Sequence, residues 1–304
     1  MKQLTIFTPT FNRAYCLRKC YESMKRQTCQ SFEWLIIDDG STDNTAQLVQ
    51  QWMSEDHLFS MRYIYKENGG MHTAYNTAYE VITTELSMNI DSDDYLTDNA
   101  VERILEFWEK HKRKDVGGIY ALDQFENGQI VGCAFPDDLT EFRGWGFKCI
   151  FYEAHGKKKI HKNQGDKKFI GVTKVIQSYP PIPVFDGEKY HSLYYKQHLI
   201  ERDYSILILN EPVCVVEYLD DGSSKNMYYQ YMKNPQGFCN ERLFVMQYAP
   251  SVKLRMEAAI HYVAESVIAK NRKYIVNSTN RAATVLATPA GLLLYFWIKR
   301  KTKK

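Results

Sequence analysis

The sequence predicts an α/β fold: a mainly parallel sheet flanked by helices, followed by a helical C-terminal extension. Three observations carry this. Short apolar runs alternate with helix-spaced segments through the first 110 residues, the pattern of a parallel sheet covered on both faces. The polar clusters Thr8-Pro9, Asp38-Asp39-Gly40-Ser41 and Asp91-Ser92-Asp93 each close one of those runs. Ligand sites of open α/β sheets lie beyond the carboxyl ends of the strands, so the three clusters fall on one edge. The last part of the chain, 226–304, then reads as helix.

Residues 4–9 are a buried strand ended by proline, and 14–27 carry Leu17, Cys20, Tyr21 and Met24 at helical spacing. A second strand, 32–39, closes on two carboxylates; Gly40-Ser41 turns, and 45–53 is helix. A third strand covers 62–65, and Gly69-Gly70 opens a helix over 72–84. Strand 86–90 delivers Asp91, and 98–110 is a helix with Val101, Ile104, Leu105 and Trp108 on one face.

From Gly117 the rhythm changes. Segments 119–122 and 129–135 read as strands joined through Glu126-Asn127-Gly128. The stretch 140–168 reads as irregular and basic, and 170–176 as extended. Tyr179-Pro180-Pro181-Ile182-Pro183 is a rigid connector, 188–200 a helix, and 205–218 two strands broken by Pro212. A turn at Asp220-Asp221-Gly222 precedes helices at 243–248 and 251–269. This makes one α/β domain over 1–225, with halves 1–115 and 116–225, and a helical region over 226–304.

The totals of the 304-residue chain, 44% apolar, 25% charged and net charge +3, argue against disorder and against a general nucleic-acid binder. Met1-Lys2-Gln3 runs straight into a strand, so no signal peptide is expected. Seven scattered cysteines read as free thiols of a reducing cytoplasm.

Asp91, Asp93 and Asp94 place three carboxylates within four residues. Their mutual repulsion is best relieved by a cation among them. On extended chain Asp91 and Asp93 point the same way and Ser92 points away. A few hard oxygen ligands suit Mg²⁺ or Mn²⁺ that also holds a substrate phosphate. A plain strand-to-helix turn, capped by Asp98 or Asn99, is the alternative.

Three stretches read together are more specific: Thr8-Pro9-Thr10-Phe11-Asn12-Arg13, then Trp34 through Asp43, then the acidic motif preceded by Glu67-Asn68-Gly69-Gly70-Met71-His72. In this order they resemble the inverting glycosyltransferases of family 2, with the GT-A fold. The resemblance implies a nucleotide-diphosphate sugar donor, a uridine one in most relatives. It implies Thr8 and Pro9 as a wall of the nucleoside pocket and Phe11 as the aromatic that stacks on the base. Asp39 matches the carboxylate that accepts the base imide, an acceptor that selects uracil over cytosine. Asp91 matches the residue on the ribose or the metal's water shell, Asp93 the metal ligand, and Ser92 lies between them in the donor stretch. Asn68 and Gly70 belong to the segment crossing the sugar-phosphate, where a helix N-terminus favours anions; His72 is a phosphate or sugar candidate. Many relatives carry a basic residue where this chain has Met71, and another near Tyr75.

The base that activates the acceptor hydroxyl falls, by the same resemblance, in Phe185-Asp186-Gly187-Glu188-Lys189-Tyr190, with Glu188 first and Asp186 second. A helix-end charge is the competing role for Glu188. Segment 282–298 is uncharged and is followed by five basic residues. It reads as an interfacial helix, with Leu292, Leu293, Tyr295, Phe296 and Trp297 in lipid and the cations on headgroups. Packing on the domain or on a second subunit is the alternative. The expected activity is metal-dependent transfer from a UDP-sugar to a hydroxyl of a cell-surface glycan or lipid-linked acceptor, at the inner face of the membrane. A catalytically weak sugar-nucleotide-binding subunit is the runner-up.

Overall fold

The structure, a computed structural model, describes residues 2–146, 149–162, 164–217 and 227–302. The expected turn at 220–222 lies outside the described residues. The chain forms two compact units: Met1–Pro181 with Lys196–Leu219, and Ile182–Tyr195 with Asp220–Lys304. The segment Ile182–Tyr195, read from sequence as part of the first domain, therefore packs with the C-terminal helices.

The first unit is built on a nine-stranded sheet. Its parallel half consists of β1 (Leu4–Thr10), β2 (Phe32–Asp38), β3 (Ser60–Tyr65) and β4 (Leu86–Asn89), in the order β3-β2-β1-β4. The sheet continues through β10 (Lys167–Val172), β6 (Val116–Gln124), β11 (Ser205–Val215) and β5 (Tyr95–Leu96), and β7 (Glu141–Phe142) pairs with β11. β10 runs antiparallel to both β4 and β6, so β6 runs the same way as β4. The carboxyl ends of β1, β2, β4 and β6 thus share one edge.

All seven residues of β1 are buried, because helices cover both faces. Leu4 and Ile6 pack with Leu17, Cys20 and Met24 of α1 (Leu17–Lys25) and with Trp34 of β2. On the other face Phe7 meets Tyr75 and Tyr79 of α3 (Met71–Val81) edge-on, at 4.9 and 5.3 Å. Helices α2 (Thr45–Met53) and α4 (Ala100–His111) complete this half.

Several expectations are corrected in the second half. Segment 129–135 is not a strand: among the described residues it makes one isolated bridge, between Gln124 and Ile130. Gly132, at φ 73°, turns the chain onto Gln164, whose carbonyl oxygen would lie 2.0 Å from a Cβ there. The stretch read as irregular holds a hairpin, β8 (Cys149–Ala154) with β9 (Lys157–Lys162). His155 and Gly156, both at positive φ, make its two-residue turn. Segment 170–176 is the end of β10 followed by α5 (Thr173–Ser178). The expected helix at 188–200 begins later, as α6 (Tyr194–Asp203). β11 remains one strand, absorbing Pro212 through register shifts.

In the second unit α9 (Val252–Ile268) packs against α8 (Pro235–Tyr248) and α11 (Arg281–Lys301). The short helices α7 (Met227–Lys233) and α10 (Tyr274–Asn277) flank them.

Candidate functional site

The site lies at the shared carboxyl edge of β1, β2, β4 and β6. It starts from Asp39, the first residue past β2. Its buried carboxylate is clasped by the loop before α3: Gly69 N donates at 3.0 Å, Gly70 N at 2.8 Å and Asn68 Nδ2 at 3.2 Å. The Lys66 ammonium also donates to it. Two carboxylate oxygens offer about four acceptor positions, and these four donors fill them. The glycine amides read from sequence as an anion site at the start of α3 thus already hold an anion, the protein's own. Gly40, at φ 87°, makes the approach possible, since a Cβ there would stand 2.8 Å from Asn68 N. Asp38 accepts from Ser41 N at 2.7 Å and from the Tyr63 hydroxyl at 2.6 Å, which is a structural role.

Asn12, at φ 55°, ties the end of β1 to the loop after β2. Its backbone N–H donates to Ser41 Oγ at 2.8 Å, and its side-chain Oδ1 accepts from Thr42 N at 2.7 Å. That pinned turn leaves Phe11 46% exposed, a ring open to stacking. Pro9 is buried, and Thr8 is turned inward, where its hydroxyl accepts from Trp34 Nε1 at 2.9 Å. His72 is buried in the first turn of α3.

The acidic motif follows β4. Asp91 and Asp93 are half-buried, while Ser92 and Asp94 are buried. Asp94 N closes a turn onto Asp91 O at 3.0 Å, and Asp94 Oδ1 accepts from Glu217 N at 3.2 Å. Ser92 faces the Cys16 thiol of the loop before α1. Burial pushes the Asp94 carboxyl up to about 8; the Lys168 ammonium opposes this, and Asp91 and Asp93 add to it. Lys168 lies on β10, 3.9 Å from buried Asp123 on β6. Desolvation works against its ammonium, but Asp123 first, with Asp94 and Asp91, holds it well above the usual lysine range.

Among the described residues no three His, Cys, Asp or Glu side chains form a closed cation cage. Two half-buried carboxylates at one strand end instead fit a Mg²⁺ or Mn²⁺ that takes its remaining ligands from a substrate phosphate and water. Asp93 and Asp91 would hold it.

The base candidates lie in the second unit. Glu188 is buried, and both its oxygens accept from the first turn of α8, Gln236 N and Gly237 N, each at 2.9 Å. Gly237 permits that contact, since a Cβ there would be 2.3 Å from Tyr190 O. Asp186 is exposed.

Sequence reasoning missed Lys66, Asn12, Lys168 and Asp123. Strand parity carries a signal for the last two: Lys168 shares a face with core Ile170, and Asp123 with Ile119 and Ala121. Lys66 stands two residues before Asn68, on the same side of an extended chain.

Residues 5–168 match the sequence profile described as glycosyl transferase family 2. The chain is 31% identical over 123 residues to the glycosyltransferase GlyG of Streptococcus pneumoniae, a stretch covering 40% of each protein. It therefore matches well under two thirds of that relative. The fold is similar to S. aureus TarS 1-349 in complex with UDP-GlcNAc, with a TM-score of 0.56 and 14% identity, over 94% of this chain and 79% of that one. It is equally similar to the mannosyltransferase PcManGT of Pyrobaculum calidifontis in complex with GDP-Man and Mn²⁺: TM-score 0.56, 16% identity, 99% of this chain and 83% of that one. The architecture is that of the GT-A enzymes.

Proposed function

Since this chain belongs to glycosyl transferase family 2, we propose that it moves a sugar from a UDP-sugar to a hydroxyl of a cell-surface glycan or lipid-linked acceptor, with inversion. One observation supports this most: Asp39 and the acids after β4 stand at strand ends either side of β1, on one edge. In this reading Phe11 stacks on the uracil, beside a pocket wall built around Thr8 and Pro9. Asp39 accepts the imide N–H. Its acceptor positions are full, so one donor must leave, and Lys66, the one cation among the four and already shared with Glu67 O and Thr73 Oγ1, is the one that leaves in this reading. Its ammonium then turns to the diphosphate, supplying the cation that Met71 does not. Asn68, Gly70 and His72 border the sugar-phosphate, and Asp91 holds the ribose or metal-bound water beside Ser92. A Mn²⁺ or Mg²⁺ on Asp93 would stabilise the departing diphosphate.

Deprotonation of the acceptor hydroxyl falls to Asp186. Glu188 spends both oxygens on α8, whereas the Asp186 carboxylate is exposed. The reaction belongs at the cytoplasmic face of the cell membrane, where nucleotide sugars and lipid-linked acceptors meet.

The test is nucleotide release from UDP-glucose, UDP-GlcNAc and GDP-mannose, with and without Mn²⁺ and a crude lipid extract. Mn²⁺-dependent UDP release that Asp93→Asn abolishes supports the proposal. Tight UDP-sugar binding with no turnover on any acceptor would instead favour a sugar-nucleotide-binding subunit, the reading that exposed Met71 suggests.

A further inference from the structure

Helix α11 is built inside out. Its protein-facing side carries small residues, Ala283, Thr284, Ala287 and Gly291, with Ile298 near the end. Gly291 sets the distance to α9: a Cβ there would lie 2.5 Å from Val263 Cβ and 2.8 Å from Ile260 O. The large apolar side chains point the other way. Leu286 is 74% exposed, Leu293 72%, Phe296 63% and Trp297 43%. A water-facing helix normally shows the reverse arrangement, and large apolar side chains exposed together on one helix face mark an interaction surface.

The charge around that face names the occupant. Residues 269–304 contain nine basic side chains (Lys270, Arg272, Lys273, Arg281, Lys299, Arg300, Lys301, Lys303, Lys304) and no acidic one. Cations bracket the apolar face at both ends, while 282–298 carries no charge at all. A second copy of this chain would set those cations against their own kind. An anionic lipid surface meets both features, hydrocarbon for the apolar face and headgroups for both ends.

By length and composition α11 could cross a bilayer. Its packing argues otherwise. The small-residue face lies along α9, which carries Lys253, Arg255, Glu257 and His261. Spanning would drag those groups into hydrocarbon or strip the two helices apart, at high cost. We propose that α11 lies in the plane of an anionic membrane, with Leu286, Leu293, Phe296 and Trp297 immersed and α9 above it. This surface works without reference to sugar transfer, so its test reads no sugar.

The full-length protein is floated with vesicles of phosphatidylcholine alone and with about one third phosphatidylglycerol. Flotation only with anionic vesicles, at least tenfold weaker in 0.5 M salt, is expected. Leu293→Glu with Phe296→Glu should abolish it while leaving thermal melting and UDP binding unchanged. Trp297 emission should shift to the blue on binding, read against Trp297→Phe. Absence of flotation overturns the proposal, with or without a concentration-dependent dimer in ultracentrifugation that Leu293→Glu dissolves. Retention on native membranes after alkaline carbonate overturns the in-plane mode.

Discussion

Lys168 Nζ stands 3.9 Å from Asp123 Oδ1, with side chains only 7% and 2% exposed. This pair bridges β10 and β6 on the face that packs toward the main core, and the same ammonium acts on Asp91 and Asp94. It is the fixed positive charge of an acidic edge.

Removing it leaves a buried carboxylate uncompensated. Lys168→Met should destabilise the protein by about 3 kcal/mol, and Lys168→Met with Asp123→Leu should recover most of that. Urea unfolding measures both. A single-variant loss below about 0.5 kcal/mol would mean that the pair contributes little.

Lys66 tests how a full Asp39 can accept a base. Lys66→Met keeps the Gly69 and Gly70 bonds, so the loop should stay ordered. If the ammonium moves to the diphosphate, the UDP Kd rises about tenfold, roughly 1.4 kcal/mol. Titration calorimetry decides, and tighter UDP binding in Lys66→Met would show that Lys66 only competes for Asp39.

Glu188 and Asp186 should separate stability from turnover. Glu188→Gln weakens two bonds to the first turn of α8 and should cost about 1–2 kcal/mol in thermal or urea unfolding. Asp186→Asn should leave stability unchanged and lower kcat by about a hundredfold or more. The opposite pattern, a stable but inactive Glu188→Gln, would return the base to Glu188.

Lys196 predicts a pH effect. It is buried, donating to Ile176 O at 3.1 Å and Tyr179 O at 3.3 Å, and burial lowers its ammonium to about 8. Between about pH 8 and pH 10.5 the unfolded chain binds this proton and the folded chain does not. Stability from this group therefore rises with pH through that window, by at most about 1.4 kcal/mol per pH unit. Chemical unfolding at pH 7.5, 8.5 and 9.5 should show the rise, and Lys196→Met should remove it.

The parallel half was readable because its signals are local. Helix α2 begins and ends where the periodicity of 45–53 places it, and β1, β2 and β4 carry their apolar runs to the polar clusters. The second half was harder to read for an equally physical reason. The hairpin turn at His155-Gly156 and the departure of the chain at Gly132 depend on backbone conformation and on a neighbour 32 residues away. No periodicity records such a contact.

The sequence by itself determined the α/β rhythm, the strand ends that deliver Asp39 and Asp91, and an uncharged tail closed by cations. Only the tertiary structure decided that Asp39 already holds four donors, that Glu188 caps α8, that Lys168 is a core cation, and that the large side chains of α11 face outward. The distinction is one of range. Apolar spacing follows from burial of each segment on its own periodicity, whereas the partner of a charge and the face a helix hides are set by chain that is distant in sequence and close in space.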